Sequence, residues 1–149
     1  MHLCPLAIRR YRARLHSALA DRIEILCFLR PPSVAEIAGN PGETSAEVRE
    51  RVLEARARQE HRLGRGRCNA DMTSLEASEC SLSREADTLL EEVCARRRLS
   101  DRARNQVLRL ARTLADLGAD VQIEHNHVKE ALGLRQGVGP DPVVPDEHD

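Results

Sequence analysis

Arginine suits sites where phosphate charge must be neutralised, because its planar guanidinium stays protonated and grips phosphate oxygens two at a time. Four arginines, Arg102, Arg104, Arg109 and Arg112, stand at helical spacings in the stretch from Leu99 to Leu117. Arg102 and Arg109 are seven residues apart, close to two full turns, so a helix shows both on one face. Arg112 falls elsewhere and is placed to pair with Asp116 at i+4, a surface interaction of about a few tenths of a kcal/mol. A solvated helix face is the plain alternative for each of them, and it stays open here. Two further runs, Arg9-Arg10-Arg12-Arg14 and Arg96-Arg97-Arg98, could touch phosphates. With one Phe, one Tyr, no Trp and a net charge of −1, the chain is not expected to bind nucleic acid by itself.

The partner chemistry of a phosphate site is missing. A P-loop needs G-x-x-x-x-G-K-[ST], whose backbone amides cradle the phosphates while the lysine reaches the γ-phosphate. The only lysine is Lys129, preceded by Val128 inside a predicted helix, so no such loop can form. The string Val143-Val144-Pro145-Asp146-Glu147 has Walker B spelling, but it sits in an acidic tail without strand context. His125-Asn126-His127 spells a nuclease motif that normally spreads over a ββα unit; here it starts a helix, and helix entry is the expected role rather than metal binding. The cysteines Cys4, Cys27, Cys68, Cys80 and Cys94 are odd in number and never spaced C-x-x-C. Reduced thiols and a cytoplasmic location follow as expectations, with no metal site and no membrane span. Cys94 is expected to pack in the core.

A near absence of aromatics leaves Leu, Val, Ile and Ala to build the interior, which favours helix on helix. The expected fold is mainly α: a small helical bundle with a basic N-terminal helix and one isolated β-strand. Residues 5–18 read as the basic helix, and Ile23 to Leu29 as a short buried strand stopped by Pro31-Pro32. A helical turn is expected at Ser33–Ala38 in the following loop. Thr44 and Glu47 form a capping box for a helix reaching Leu63, with Val48, Val52 and Ala55 on one face and Glu47–Arg51 and Glu54–Arg58 as i,i+4 pairs. Thr73 and Glu76 start a short helix ending near Cys80. Ser83 caps a helix over 84–98 with Ala86, Leu89, Leu90, Val93 and Cys94 inward. Ser100 caps the helix over 101–117, ended by Gly118, with Val107, Leu108, Ala111, Leu114 and Ala115 facing the core. A last helix over about 125–135 carries Val128, Ala131 and Leu132. The Pro/Gly-rich, acidic stretch from Gln136 is expected to be disordered.

Several of these segments carry a resemblance. GETSAEVRERVLEARARQ is similar to a GExSxxVRxRVxxARxxQ helix, Arg67-Cys68-Asn69-Ala70 to an RxNA turn, and LSDRARNQVLRLARTLADL to LSxRAxxRILRVARTIADL. Ile123 with His127-Val128-Lys129-Glu130-Ala131-Leu132 resembles an IxxxHVxEALxxR closing helix, and AIRRYRARL followed by ADRIEI resembles a basic run leading into SGPLLDRID. All belong to the Mg-chelatase-like AAA+ ATPases of the ComM type, and the likeness runs from Cys4 to Arg135. Two departures stand out: the Gly-Pro turn before Asp21-Arg22 is gone, and Arg104 and Asn105 occupy positions that are usually aromatic or His.

The resemblance implies the arginine side of an ATP site. Arg22 matches the arginine finger that one subunit inserts into its neighbour as the γ-phosphate leaves; Arg102 and Arg109 are the two candidates for the sensor-2 arginine that reaches the nucleotide from the lid. The implied organisation is a remnant of the end of the AAA+ core over 1–43, a helical C-terminal lid over 44–135 and a tail over 136–149. No ATP turnover is expected from the chain alone, and no cofactor; ATP and Mg belong to the complete machine. The implied partner is a P-loop core or full-length homologue in a ring, with DNA reached through that assembly. Two alternatives stand beside this: a non-catalytic helical module that regulates such a ring, and a decayed fragment without function.

Overall fold

The computed structural model describes residues 23–25, 27, 31–39 and 42–136 of the chain. Its elements are α1 (Val34–Ala38), α2 (Ser45–Leu63), a 3-10 turn (Asn69–Asp71), α3 (Ser74–Ser78), α4 (Arg84–Arg97), α5 (Asp101–Gly118) and α6 (His125–Gln136). The protein is mainly α, a helical bundle, and no sheet occurs among the described residues. One isolated parallel bridge joins Leu82 and Ile123. There the Ser83 N–H donates to the Ile123 carbonyl at 3.0 Å and the Ile123 N–H to the Ser81 carbonyl at 2.8 Å, tying the starts of α4 and α6 together.

The helices begin where their caps dictate. Thr44 and Glu47 close a reciprocal box at α2, and Thr73 and Glu76 close another at α3, each satisfying two otherwise orphaned backbone donors. Ser83 accepts from the Ala86 N–H and Ser100 from the Ala103 N–H, each at 3.3 Å. The helix ends are less conventional. Arg98 (φ 49°) and Ala119 (φ 62°) take the left-handed position after α4 and α5, which glycine usually fills. Gly118, expected as the stop of α5, is its last helical residue. A Cβ there would lie 2.8 Å from Asp120 Oδ2, and the bare glycine leaves room for that carboxylate.

Helix α5 is the centre of the bundle, packed on α6, α2, α3 and the 3-10 turn, while α4 packs on α6. Leu90 and Val93 of α4, Val107, Leu108 and Ala111 of α5, Ile123, and Val128 and Ala131 of α6 form one buried cluster. Each such Leu, Val or Ile contributes about 1.5–3 kcal/mol by leaving water. Leu89, Leu114 and Cys94 pack partly buried against it.

Three expectations are corrected. The described residues of the expected strand, Ile23, Glu24, Ile25 and Cys27, form no strand, because no ladder partner exists among the described residues to satisfy its backbone. On α2, Ala55 and Gln59 are buried, but Val48 and Val52 on the same face stay exposed, at 38% and 42%: α5 covers only the later turns. Glu47 is held by its cap, so Arg51 pairs instead with Glu43, at 2.6 and 3.0 Å; the Glu54–Arg58 pair forms as expected, at 3.4 Å. The expected basic helix over 5–18 and the tail beyond Gln136 lie outside the described residues.

Candidate functional site

Arg102 sits in the first turn of α5, just past the Ser100 cap, and its exposed guanidinium forms no hydrogen bond or ion pair among the described residues. Arg109 lies two turns on, roughly 10 Å along the axis, and its setting differs. It is half-buried, its Nη2 donates to the Met72 carbonyl at 2.6 Å, and its Nε is sealed from solvent without a partner. The helix thus presents the two arginines unequally: one is free, the other engaged with the loop before α3. Arg22 lies outside the described residues.

Beside Arg109 a cleft of about 290 Å³ opens between α2 and α5. Val52, Ala55, Leu110 and Leu117 supply apolar walls, Arg56 and Arg109 the cationic rim, and Glu24 and Ile25 approach from the upstream segment.

Behind the cleft lies a buried polar network centred on Asp116, which is 1% exposed. Arg62 reaches across from α2 with a two-pronged grip, Nη1 to Oδ1 at 3.0 Å and Nη2 to Oδ2 at 2.8 Å. Asn69 donates to Oδ2 at 2.8 Å and to Thr113 Oγ1 at 3.0 Å, while its own Oδ1 accepts from Arg62 at 2.8 Å. Arg112, 4% exposed, donates through Nε to Asp116 Oδ1 at 3.1 Å and through its two Nη atoms to the carbonyls of Val121 (2.8 Å) and Asp120 (2.5 Å). Burial pushes the Asp116 carboxyl up, but the hydrogen bonds from Arg62 and Asn69 and the charge of Arg112 outweigh it and hold it below the usual carboxylate range. The Arg112–Asp116 pair is therefore an interior joint, not the surface pair expected: the last turns of α5 are covered on both sides, by α2 and by the loop leading to α6.

Around this joint the smaller expectations resolve. The His127 ring takes a capping role: its Nδ1 accepts from the Glu124 N–H at 3.0 Å, and its Nε2 lies 3.3 Å from Asp120 Oδ2. Cys27, Cys68, Cys80 and Cys94 are free, and burial pushes the Cys80 and Cys94 thiols up, away from reactive thiolate. Arg96 pairs with Glu92 at 3.6 Å, leaving Arg97 and Arg98 exposed. Lys129 is exposed on α6. Among the described residues no group of three or more His, Cys, Asp or Glu is placed to hold a metal ion, and no helix is long and apolar enough to cross a membrane.

The helices that build this cleft and network are shared with known proteins. The family described as magnesium chelatase, subunit ChlI C-terminal, matches residues 42–135. This chain belongs to that family. Relatives of this magnesium chelatase C-terminal domain include the competence protein ComM of Haemophilus influenzae, 38% identical over 134 residues, a match covering 88% of this chain and 26% of the relative. A protein called YifB from Escherichia coli K12 is 36% identical over 129 residues, covering 85% of this chain and 25% of the relative. The chain thus spans about a quarter of the length of the curated relatives it matches.

Beyond the Arg112–Asp116 pair the network was missed from the sequence, although Asn69, Arg112, Thr113 and Asp116 lie inside the segments that carry the resemblance and Arg62 lies just past the first of them. Spacing carries no signal of its burial: Asp116 stands three, four and seven residues after Thr113, Arg112 and Arg109, on a face that reads as polar, and only its contacts with Arg62 and Asn69 mark it as interior.

Proposed function

We propose that this magnesium chelatase C-terminal domain is the helical lid of an AAA+ ATPase and acts on a P-loop core supplied by another chain, presenting an arginine to the bound nucleotide without hydrolysing ATP itself. The carrying observation is Arg102, an exposed, uncommitted guanidinium in the first turn of a helix whose far end is locked by a buried charge network. Of the two sensor-2 candidates Arg102 is the better placed, since Arg109 already serves the Met72 carbonyl. The donor set fits one side of a triphosphate only: guanidinium groups supply countercharge, while the single lysine, Lys129, lies exposed within α6 and is not preceded by the G-x-x-x-x-G of a phosphate loop. The phosphate cradle and Mg would therefore come from the core. By resemblance Arg22 acts in trans on a neighbouring subunit's γ-phosphate, and DNA, if it is the working polymer, is met by the whole assembly in the cytoplasm.

The test is to mix the chain with a P-loop chain of this family and follow ATP turnover. Turnover is expected to rise with the chain present, to be lost with Arg102→Ala, and to be absent from the chain alone. Stimulation that survives Arg102→Ala sinks the sensor assignment. A second reading, a module that binds such ATPases and restrains them, is favoured by the uncovered apolar face of Val48 and Val52, which calls for a partner whether or not nucleotide is turned over. Saturable inhibition in the same assay would select it. The closed hydrogen-bond network around Asp116 supports an intact domain over a decayed one.

A further inference from the structure

Two features of the bundle are incomplete by themselves, and they adjoin. The face of α2 that buries Ala55 and Gln59 continues through Val52 and Val48, which stay 42% and 38% exposed among the described residues. The cleft beside it ends at Arg109, whose Nε is buried and unpartnered, a condition rare for a charged group in a finished site. The upstream chain leads directly there, since Glu24 and Ile25 line the cleft and Ile23, Ile25, Val34 and Ile37 are all exposed. The match to the Haemophilus influenzae relative covers 88% of this chain and so extends upstream of residue 42, while three quarters of that relative has no counterpart here.

We propose that the cleft walled by Val52, Leu110 and Leu117 is the socket in which the nucleotide-binding partner seats an apolar side chain with a carboxylate or carbonyl acceptor beside it, and that Arg109 anchors this contact. The inference rests on the lid reading above and divides the labour of the two arginines: Arg109 holds the partner and Arg102 meets the nucleotide. An acceptor at the rim draws the guanidinium toward it and gives the stranded donor edge a partner. The apolar neighbour covers Val52 and excludes water from the pair, the arrangement in which an arginine contact is strongest.

The test measures binding and turnover separately. The full chain is titrated against the part of the Haemophilus influenzae relative outside the match, prepared as a separate polypeptide and verified by its own nucleotide binding. Val52→Glu, at a position 42% exposed and with its helical circular dichroism and melting checked against the wild type, is expected to weaken association about thirtyfold or more, and Arg109→Ala at least about tenfold. Arg102→Ala is expected to bind within about threefold of the wild type. Excess chain then restores ATP turnover to the Arg109→Ala mixture but not to the Arg102→Ala mixture. Wild-type association undisturbed by Val52→Glu and Arg109→Ala overturns the socket and leaves the lid reading standing. An Arg109→Ala chain that binds normally yet supports no turnover at saturation makes Arg109 the nucleotide residue and also overturns it. No wild-type association with the folded partner removes both readings together.

Discussion

Replacing Asp116 with alanine is expected to be the most damaging single change to the bundle that removes only one side chain of modest size. The carboxylate accepts four hydrogen bonds, two from Arg62, one from Asn69 and one from Arg112, at 2.8–3.1 Å. Its removal leaves Arg112, 4% exposed, with two carbonyls and no countercharge. Arg62 is partly exposed and can turn to water, so the cost falls mainly on Arg112 and Asn69. Breaking a buried pair by deleting one partner costs about 3–5 kcal/mol, because the remaining charge stays desolvated. A domain of this size has a stability of order 5–14 kcal/mol, so the variant loses about a fifth of it or more. Its melting temperature should fall by about 12 °C or more.

The measurement is urea unfolding followed by helical circular dichroism, with Glu54→Ala as the control. Glu54 makes only an exposed pair with Arg58, and its loss should cost about 0.5 kcal/mol or less. The acid limb gives a second reading of the same site. Because the folded Asp116 carboxyl lies below its ordinary value, its contribution is present above pH ~4 and is lost as the pH falls through the lowered folded value. The variant should therefore lose less stability than the wild type on going from pH 5 to pH 2. A midpoint shift worth under about 1 kcal/mol at pH 7, with an unchanged acid limb, would refute the closed network.

Other outcomes follow from the same geometry. Ala119→Gly should stabilise the fold by about 0.5–1 kcal/mol, since Ala119 holds a left-handed conformation that glycine adopts freely; chemical denaturation checks it, and no gain would mean the C-cap is frayed in solution. Thr73→Ala should cost about 1 kcal/mol by opening the box at α3, and the loss should grow when combined with Arg67→Ala, because Arg67 grips Glu76 at 2.8 and 2.9 Å. Wild-type stability should fall steadily below pH 4.5, with Glu76, held down to about 2 by Arg67 and the Thr73 cap, among the last groups to be protonated; carboxyl NMR titration reads this directly.

The helices were legible because their signals are local. Thr44, Thr73, Ser83 and Ser100 each hold an orphan N–H that no tertiary contact needs to supply, and stripes such as Leu90–Val93 and Val107–Ala111 repeat at the helical period. Whether a stripe is covered is not local, and this separates Ala55, buried under α5, from Val52, which looks equivalent by spacing. The same distinction explains Arg112. Its i+4 pairing with Asp116 could be read from spacing, but its burial arises from Arg62 and Asn69, 54 and 47 residues from Asp116, and from the carbonyls of the loop before α6. The candidate arginines were visible as residue types. What distinguishes Arg102 from Arg109 is the Met72 carbonyl, 37 residues away from Arg109, which no spacing argument reaches.

On the proposed reading, in which Arg102 meets the nucleotide, the position of the network relative to that residue bears on how such a lid works. Asp116 and Arg102 are fourteen residues apart on one uninterrupted helix, so about 21 Å of stiff rod separates the locked end from the free guanidinium. A lever of that length magnifies looseness at its fixed end: a 10° tilt about Asp116 moves the first turn of α5 by roughly 3.6 Å over the span just given. A misplacement of about 1 Å can cost a hundredfold in a reaction that depends on positioned charge. Arg62 of α2 and Asn69 of the 3-10 turn hold the carboxylate from outside α5, and Arg112 beside it holds the Asp120 and Val121 carbonyls of the next loop, which removes the tilts that one contact would leave free. Substitutions at Asn69 or Thr113 that cost little stability should on this argument still weaken stimulated turnover, because they loosen the hinge of the lever without touching its tip.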